Sequence, residues 1–117
     1  MELENDETPV LEMPDDEVIA SGWFGNDKLL LTNKRLIFLK KKESIRLEEI
    51  DRVYRDTPSM NITKMKIVLK NQKIRDVKFQ VYGFGVSLKG ASYLFLKQEM
   101  ITDKWVNAIN SQIQKSK

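Results

Sequence analysis

The 117-residue chain contains neither cysteine nor histidine. The first absence excludes disulfides and thiolate metal sites. The second removes the Ser-His-Asp and Cys-His routes to an activated nucleophile, together with the commonest metal ligand. Carboxylate or lysine chemistry stays open in principle. Paired acids such as Glu48-Glu49 and Asp15-Asp16 have no visible partner acid or nucleophile, however, so no catalysis, cofactor or metal is expected. No apolar run approaches the ~20 residues of a membrane-spanning helix. The N-terminus lacks the basic, apolar, small-residue pattern of a signal peptide. The expectation is one soluble cytoplasmic domain, able at most to associate peripherally with a membrane.

What the chain does have is charge, unevenly placed. The overall net charge of +3 conceals a segment of −8 over residues 1–17, which hold eight acids and no lysine or arginine, and a remainder of +11. Residues 1–16 also carry Pro9 and Pro14, with Val10, Leu11 and Met13 as their apolar cluster. They read as an acidic, flexible or loosely docked N-terminal arm, and residues 17–117 as the domain. Such an arm is expected to lie across the basic body and screen it.

The body is organised around residues 28–40. Leu29, Leu30 and Leu31, then Leu36, Ile37, Phe38 and Leu39, flank a polar break at Thr32-Asn33-Lys34-Arg35. This is the pattern of a tight hairpin with two buried strands, in which Asn33 is expected to supply the positive φ of a two-residue turn. A first strand is expected over residues 18–24, a fourth over 44–47, and a helical turn or bulge at Leu47-Glu48-Glu49-Ile50. Met65, Ile67 and Leu69 alternate with Lys64, Lys66 and Lys70, and Asn71-Gln72 reads as a turn. Ile74 is even-numbered whereas Val77, Phe79 and Val81 are odd, so a bulge is expected near Arg75-Asp76. Residues 92–97 are dense in β-formers and read as a last strand. From about Met100 the period changes: Ile101, Trp105, Ala108 or Ile109, and Ile113 mark a helix, with Thr102 as a candidate N-cap or fray point and Asn107, Asn110, Ser111 and Gln114 on its polar side.

Leu31-Thr32-Asn33-Lys34-Arg35-Leu36-Ile37-Phe38 and Ile45-Arg46-Leu47-Glu48-Glu49-Ile50 resemble segments of the pleckstrin-homology (PH) superfamily, especially its GRAM and bacterial PH-like branches. The first is similar to its leucine-threonine-asparagine-x-arginine-leucine hairpin, the second to its acidic leucine-x-x-isoleucine strand start. Asp103-Lys104-Trp105-Val106-Asn107-Ala108-Ile109 resembles the closing helix, with Trp105 in the place of the core tryptophan. The resemblance implies a mainly β fold with one C-terminal α-helix: a PH-like, seven-stranded, two-sheet, partly open barrel capped by that helix.

The resemblance also implies where a ligand would sit. In phosphoinositide-binding PH domains the first-second and third-fourth strand loops hold the head group, which points here to Lys28, Lys40, Lys41 and Lys42, with Lys89 as a further candidate for lipid or anion binding. Such lysines act as point charges, worth about 1 kcal/mol each at an anionic membrane. The first loop is short and acidic at Asp27, and the family's lysine followed by a spaced Lys/Arg-x-Arg is absent. Nonspecific attraction to anionic phospholipid is therefore favoured over head-group recognition. Trp23, at a strand end, and Phe84, in the glycine-rich stretch 83–90, are candidate partner contacts. The second reading is a protein-interaction module, akin to the ubiquitin-binding GLUE branch, although that branch's insertions are not recognisable here. Nucleic acid is disfavoured, because the basic residues are not gathered with stacking aromatics.

Overall fold

A computed structural model describes residues 2–20, 25–57, 63–81 and 90–115. Among them are ten strands and one helix. β1 (Pro9–Glu12) and β2 (Glu17–Ala20) are two halves of one extended passage, bent at residues 13–16. β3 (Asn26–Asp27) and β4 (Leu29–Thr32) are likewise one passage interrupted at Lys28. β5 (Arg35–Phe38) and β6 (Glu43–Arg46) follow, then a 3-10 turn (Leu47–Glu49) and β7 (Ile50–Asp56). β8 (Lys64–Leu69) precedes a third divided passage, β9 (Ile74–Val77) and β10 (Phe79–Val81), broken at Lys78. The chain closes with α1 (Gly90–Lys115). The ten strands thus trace seven passages.

Hydrogen bonding groups the strands into three antiparallel sheets, β1-β4-β5-β6, β10-β2-β3 and β7-β8-β9, where two were expected. The three divided passages each cross from one sheet to the next. The ladder can therefore be followed from β6 through β5, β4/β3, β2, β10/β9 and β8 to β7. Its two ends, β6 and β7, are neighbours in sequence, joined by the 3-10 turn. No helix among the described residues is long and apolar enough to cross a membrane.

Period-two alternation explains the interior. Leu29, Leu31, Leu36 and Phe38 point inward from β4 and β5, as do Met65 and Ile67 from β8. The helix brings Ile101, Trp105, Ile109 and Ile113, each four residues on, to the same core. Trp105 is fully buried and stacks on Phe79 of β10, with ring centroids 5.9 Å apart. Asn110 bonds both backbone groups of Val53 on β7, so this nominally polar position is a helix-to-strand tie.

Several local expectations are corrected. Residues 92–97 are helix, not strand: α1 begins at Gly90, and Thr102 lies inside it, donating its hydroxyl to the Gln98 carbonyl at 2.7 Å. The helix is held at this level by Gln98, which donates to the Phe79 carbonyl at 2.9 Å and accepts the Thr63 N–H at 3.1 Å. The β8–β9 register runs unbroken from Met65↔Val77 to Val68↔Ile74, so no bulge is needed at Arg75-Asp76. Ile74 simply lies on the outer face, 56% exposed. Register irregularities fall instead between Ile50 and Arg52, beside the expected helical turn at Leu47–Glu49, and between Pro9 and Leu11.

The acidic segment, expected as a flexible or loosely docked arm, carries a short strand, Pro9–Glu12, that is paired into the sheet. β1 pairs with β4, Pro9↔Thr32 to Glu12↔Leu30, and Met13 joins the core. Residues 2–8 bracket the β4–β5 turn. Asn33 does not supply positive φ; Asp6, Lys42 and Gln72 are the non-glycine residues of that kind among those described. Asn33 works through its amide, accepting the Thr8 N–H at 2.8 Å and donating to the Asp6 carbonyl at 2.9 Å. The carboxylates of the arm meet Arg35 and Arg46 at this turn, so the arm covers the hairpin's closed end and leaves the lysine-rich end uncovered by those contacts.

Candidate functional site

Four of the five sequence-derived lysines converge. Lys28 lies at the β3–β4 break, and Lys40, Lys41 and Lys42 form the β5–β6 turn. In the ladder Leu29 faces Phe38, so both segments leave the same end of the hairpin. Leu39 donates its N–H to the Lys28 carbonyl at 3.0 Å, extending the pairing one step past the strands. Lys42 has φ 58°, which turns the chain back into β6.

The organiser of this end is Asp27, a residue whose role the sequence did not disclose. It is 2% exposed. Its Oδ1 accepts the N–H of Lys28 at 2.7 Å and of Lys40 at 2.6 Å, and its Oδ2 accepts the N–H of Lys41 at 3.3 Å. A buried carboxylate is tolerable only with such charge-assisted bonds. The consequence is chemical. Backbone N–H groups that would cradle an anion are already satisfied by an internal one. Among the described residues this end presents lysine side chains, and the three N–H groups held by Asp27 are not open to form an oxyanion nest.

The ammonium groups are directed by short-range contacts. Lys28 Nζ donates to the Pro14 carbonyl at 2.8 Å, in the bend between β1 and β2. The Lys40 ammonium lies near Gly25, where a Cβ would sit at an ordinary contact distance of 3.7 Å from Nζ; it is the backbone φ of +76° that favours glycine there. A shallow cleft of about 380 Å³ between them is lined by Val18, Asn26, Asp27, Lys28, Leu39 and Lys40. Leu39 is 40% exposed, an apolar side chain amid the lysines.

Arg75 is a cation at this end that sequence reasoning missed. Its guanidinium lies over the Phe38 ring, 4.1 Å from the centroid, and is bonded to Glu43 at 2.7 Å. It ties β9 to the strands flanking the lysine turn. The odd parity that Arg75 shares with Val77 is the signal for it in the sequence, and the apolar Ile74 beside it masks that parity. The other sequence-derived candidates, Trp23, Phe84 and Lys89, lie outside the described residues.

The opposite end of the hairpin carries a larger cleft of about 630 Å³, bordered by Lys34, Arg46 and Lys70 together with Glu48 and Asp51. Its charges are mixed, and Arg46 is engaged by both Glu4 and Glu48. Among the described residues no group of three or more acids is arranged to hold a metal ion. Comparison with protein families, curated proteins and solved structures finds no match to this chain.

Proposed function

We propose that the chain is a non-catalytic binding module of the PH/GRAM type that docks on anionic membrane surfaces through its lysine-bearing end. The fold reading is supported by the seven passages, the antiparallel ladder whose ends meet at the 3-10 turn, and the closing helix with its buried Trp105. One observation carries the functional reading: the N–H groups of Lys28, Lys40 and Lys41 are gathered on a single buried carboxylate, with Lys42 next in the same turn, beside the exposed Leu39.

Because Asp27 occupies the backbone donors, recognition of one particular head group is not what this end offers. The lysines supply a diffuse positive field, each worth about 1 kcal/mol near an anionic surface and falling off over about 8 Å at physiological salt. Leu39 adds a small apolar contact. The test is flotation with vesicles over a series of phosphatidylserine contents at low and physiological salt. Bound protein should rise steeply with anionic lipid and fall with salt. The triple variant Lys40→Glu, Lys41→Glu, Lys42→Glu should lose binding. No binding at low salt and high phosphatidylserine would end the proposal and favour an adaptor with a protein partner.

A further inference from the structure

We infer that the Arg35–Arg46 face at the closed end of the β4–β5 hairpin is a binding site for acidic peptides, held in cis by residues 2–8 of the chain's own N-terminus. The site is independent of the lysine end.

Arg35 and Arg46 stand directly opposite each other in the β5–β6 ladder. Like charges in that position repel, so the pair needs anions. The arm supplies two. Glu7 accepts from Arg35 Nε at 2.8 Å and Nη2 at 3.0 Å, and its Oε2 also accepts the Thr32 hydroxyl at 2.6 Å. Glu4 accepts from both terminal nitrogens of Arg46, at 2.8 and 3.2 Å. The two carboxylates are three residues apart in sequence. A turn brings them to the two arginines: Glu7 N–H bonds the Glu4 carbonyl, Glu4 N–H bonds Glu7 Oε1, and Asp6 takes φ 62°.

Further contacts of the segment with the hairpin read the main chain. Arg35 Nη2 donates to the Glu2 carbonyl, Lys34 Nζ to that of Asn5, and the Asn33 amide to that of Asp6. Thr8 and Asn33 exchange a further pair of bonds, Asn33 N–H to the Thr8 carbonyl and Thr8 N–H to Asn33 Oδ1. Main-chain bonds that any peptide can make, plus two bidentate carboxylate positions, are the elements of peptide recognition. Residues 2–6 are all exposed, so polar contacts and not core packing hold them. Lys34 and Arg46 also border the open cleft of about 630 Å³, which leaves room for a longer peptide to continue. The occupant is therefore an acidic peptide with two glutamates three residues apart, and the arm is its intramolecular counterpart.

A tethered segment competes at millimolar effective concentration, so the test weakens the cis occupant within the full chain. The variant Glu4→Gln, Glu7→Gln is titrated with the synthetic peptide Met-Glu-Leu-Glu-Asn-Asp-Glu-Thr-Pro. The peptide should bind saturably in calorimetry and raise the variant's melting temperature. A peptide with glutamine at the two positions that correspond to Glu4 and Glu7 should bind at least tenfold more weakly. If the double variant fails to fold, Glu4→Gln is used alone, carrying a nitroxide on Leu3→Cys, the only thiol in the chain. There the acidic peptide should free the label. Absence of binding and of label release, equal action by the glutamine peptide, or release that tracks chain concentration without peptide would each overturn the proposal. The last outcome would assign the face to arm exchange between copies.

Discussion

Asp27 and Lys40 are joined by a 2.6 Å hydrogen bond from the Lys40 N–H to a carboxylate that is almost fully buried. The lysine-rich turn is thus positioned by an acid at its base. Asp27→Ala strips an acceptor from three N–H groups and should cost about 2–3 kcal/mol in urea unfolding, with Asp27→Asn intermediate. Amide exchange at Lys40 and Lys41 should accelerate most. The same variant separates two kinds of anion binding. If lysine charge alone attracts the membrane, removal of a carboxylate leaves vesicle affinity at least as high as before. A loss of affinity at retained fold would show that the turn's geometry, not its charge, makes the contact.

Asn110 closes the outer edge of β7. Its amide donates to the Val53 carbonyl at 2.9 Å and accepts the Val53 N–H at 3.2 Å, imitating one rung of a neighbouring strand. An unpaired edge costs hydrogen bonds and invites another strand. Asn110→Ala should destabilise the fold by about 1–3 kcal/mol, and Asn110→Asp, which keeps only the acceptor, by a similar amount. Hydrogen exchange at Val53 should rise in both. Unchanged exchange would mean that water serves the edge as well as Asn110 does.

Gln72 holds φ 74° in the β8–β9 turn, where Leu69 and Lys73 close the hairpin with a 2.8 Å bond. A left-handed conformation is unfavourable for a side-chain-bearing residue and free for glycine. Gln72→Gly should therefore raise stability by about 0.5–1 kcal/mol, read as a higher urea midpoint at constant slope. A fall would show that the Gln72 side chain makes a contribution larger than the strain.

Much of this fold was legible because it rests on local period. The leucines of β4 and β5, the alternating β8, and the four-residue spacing of Ile101, Trp105, Ile109 and Ile113 each carry their own signal. What escaped depends on partners distant in sequence. Nothing near Glu7 says that it will be buried, because its partner Arg35 lies 28 residues on. In the sequence Asn33 reads as a turn residue by its backbone tolerance, yet its side chain is what is used. Residues 92–97 have strand propensity, but adding turns to an existing helix is easier than nucleating a new element, and Gln98 anchors that helix to Phe79 and Thr63. At the lysine end the strand order puts Lys28 and residues 40–42 at one end of the hairpin, whereas in the sequence Asp27 reads merely as an opposing charge. The hydrogen-bond geometry makes it the support of the whole turn.

The Glu7–Arg35 pair gives the fold a defined acid sensitivity. Two bonds from Arg35, then the Thr32 hydroxyl and the Glu4 N–H, hold the Glu7 carboxyl down from its ordinary 4.5 to about 2, against the opposing effect of burial. A depressed pKa in the folded state contributes stability that is present above the unfolded value and is lost as pH falls through the folded one. Here that window runs from about pH 4.5 down to about pH 2. A shift of this size corresponds to about 3 kcal/mol. Glu7→Gln removes the titrating group and leaves a buried guanidinium without its anion, so at neutral pH it should cost about 3–5 kcal/mol. Glu4 is also held low by its bond to Arg46, so acid loosens the arm at both contacts. Urea unfolding of the wild type and Glu7→Gln from about pH 6 to about pH 2 isolates the Glu7 contribution as the difference between their profiles. The two curves should converge as pH falls below about 4.5. Parallel profiles across that window would show that Glu7 titrates normally and that the buried pair does not hold the arm.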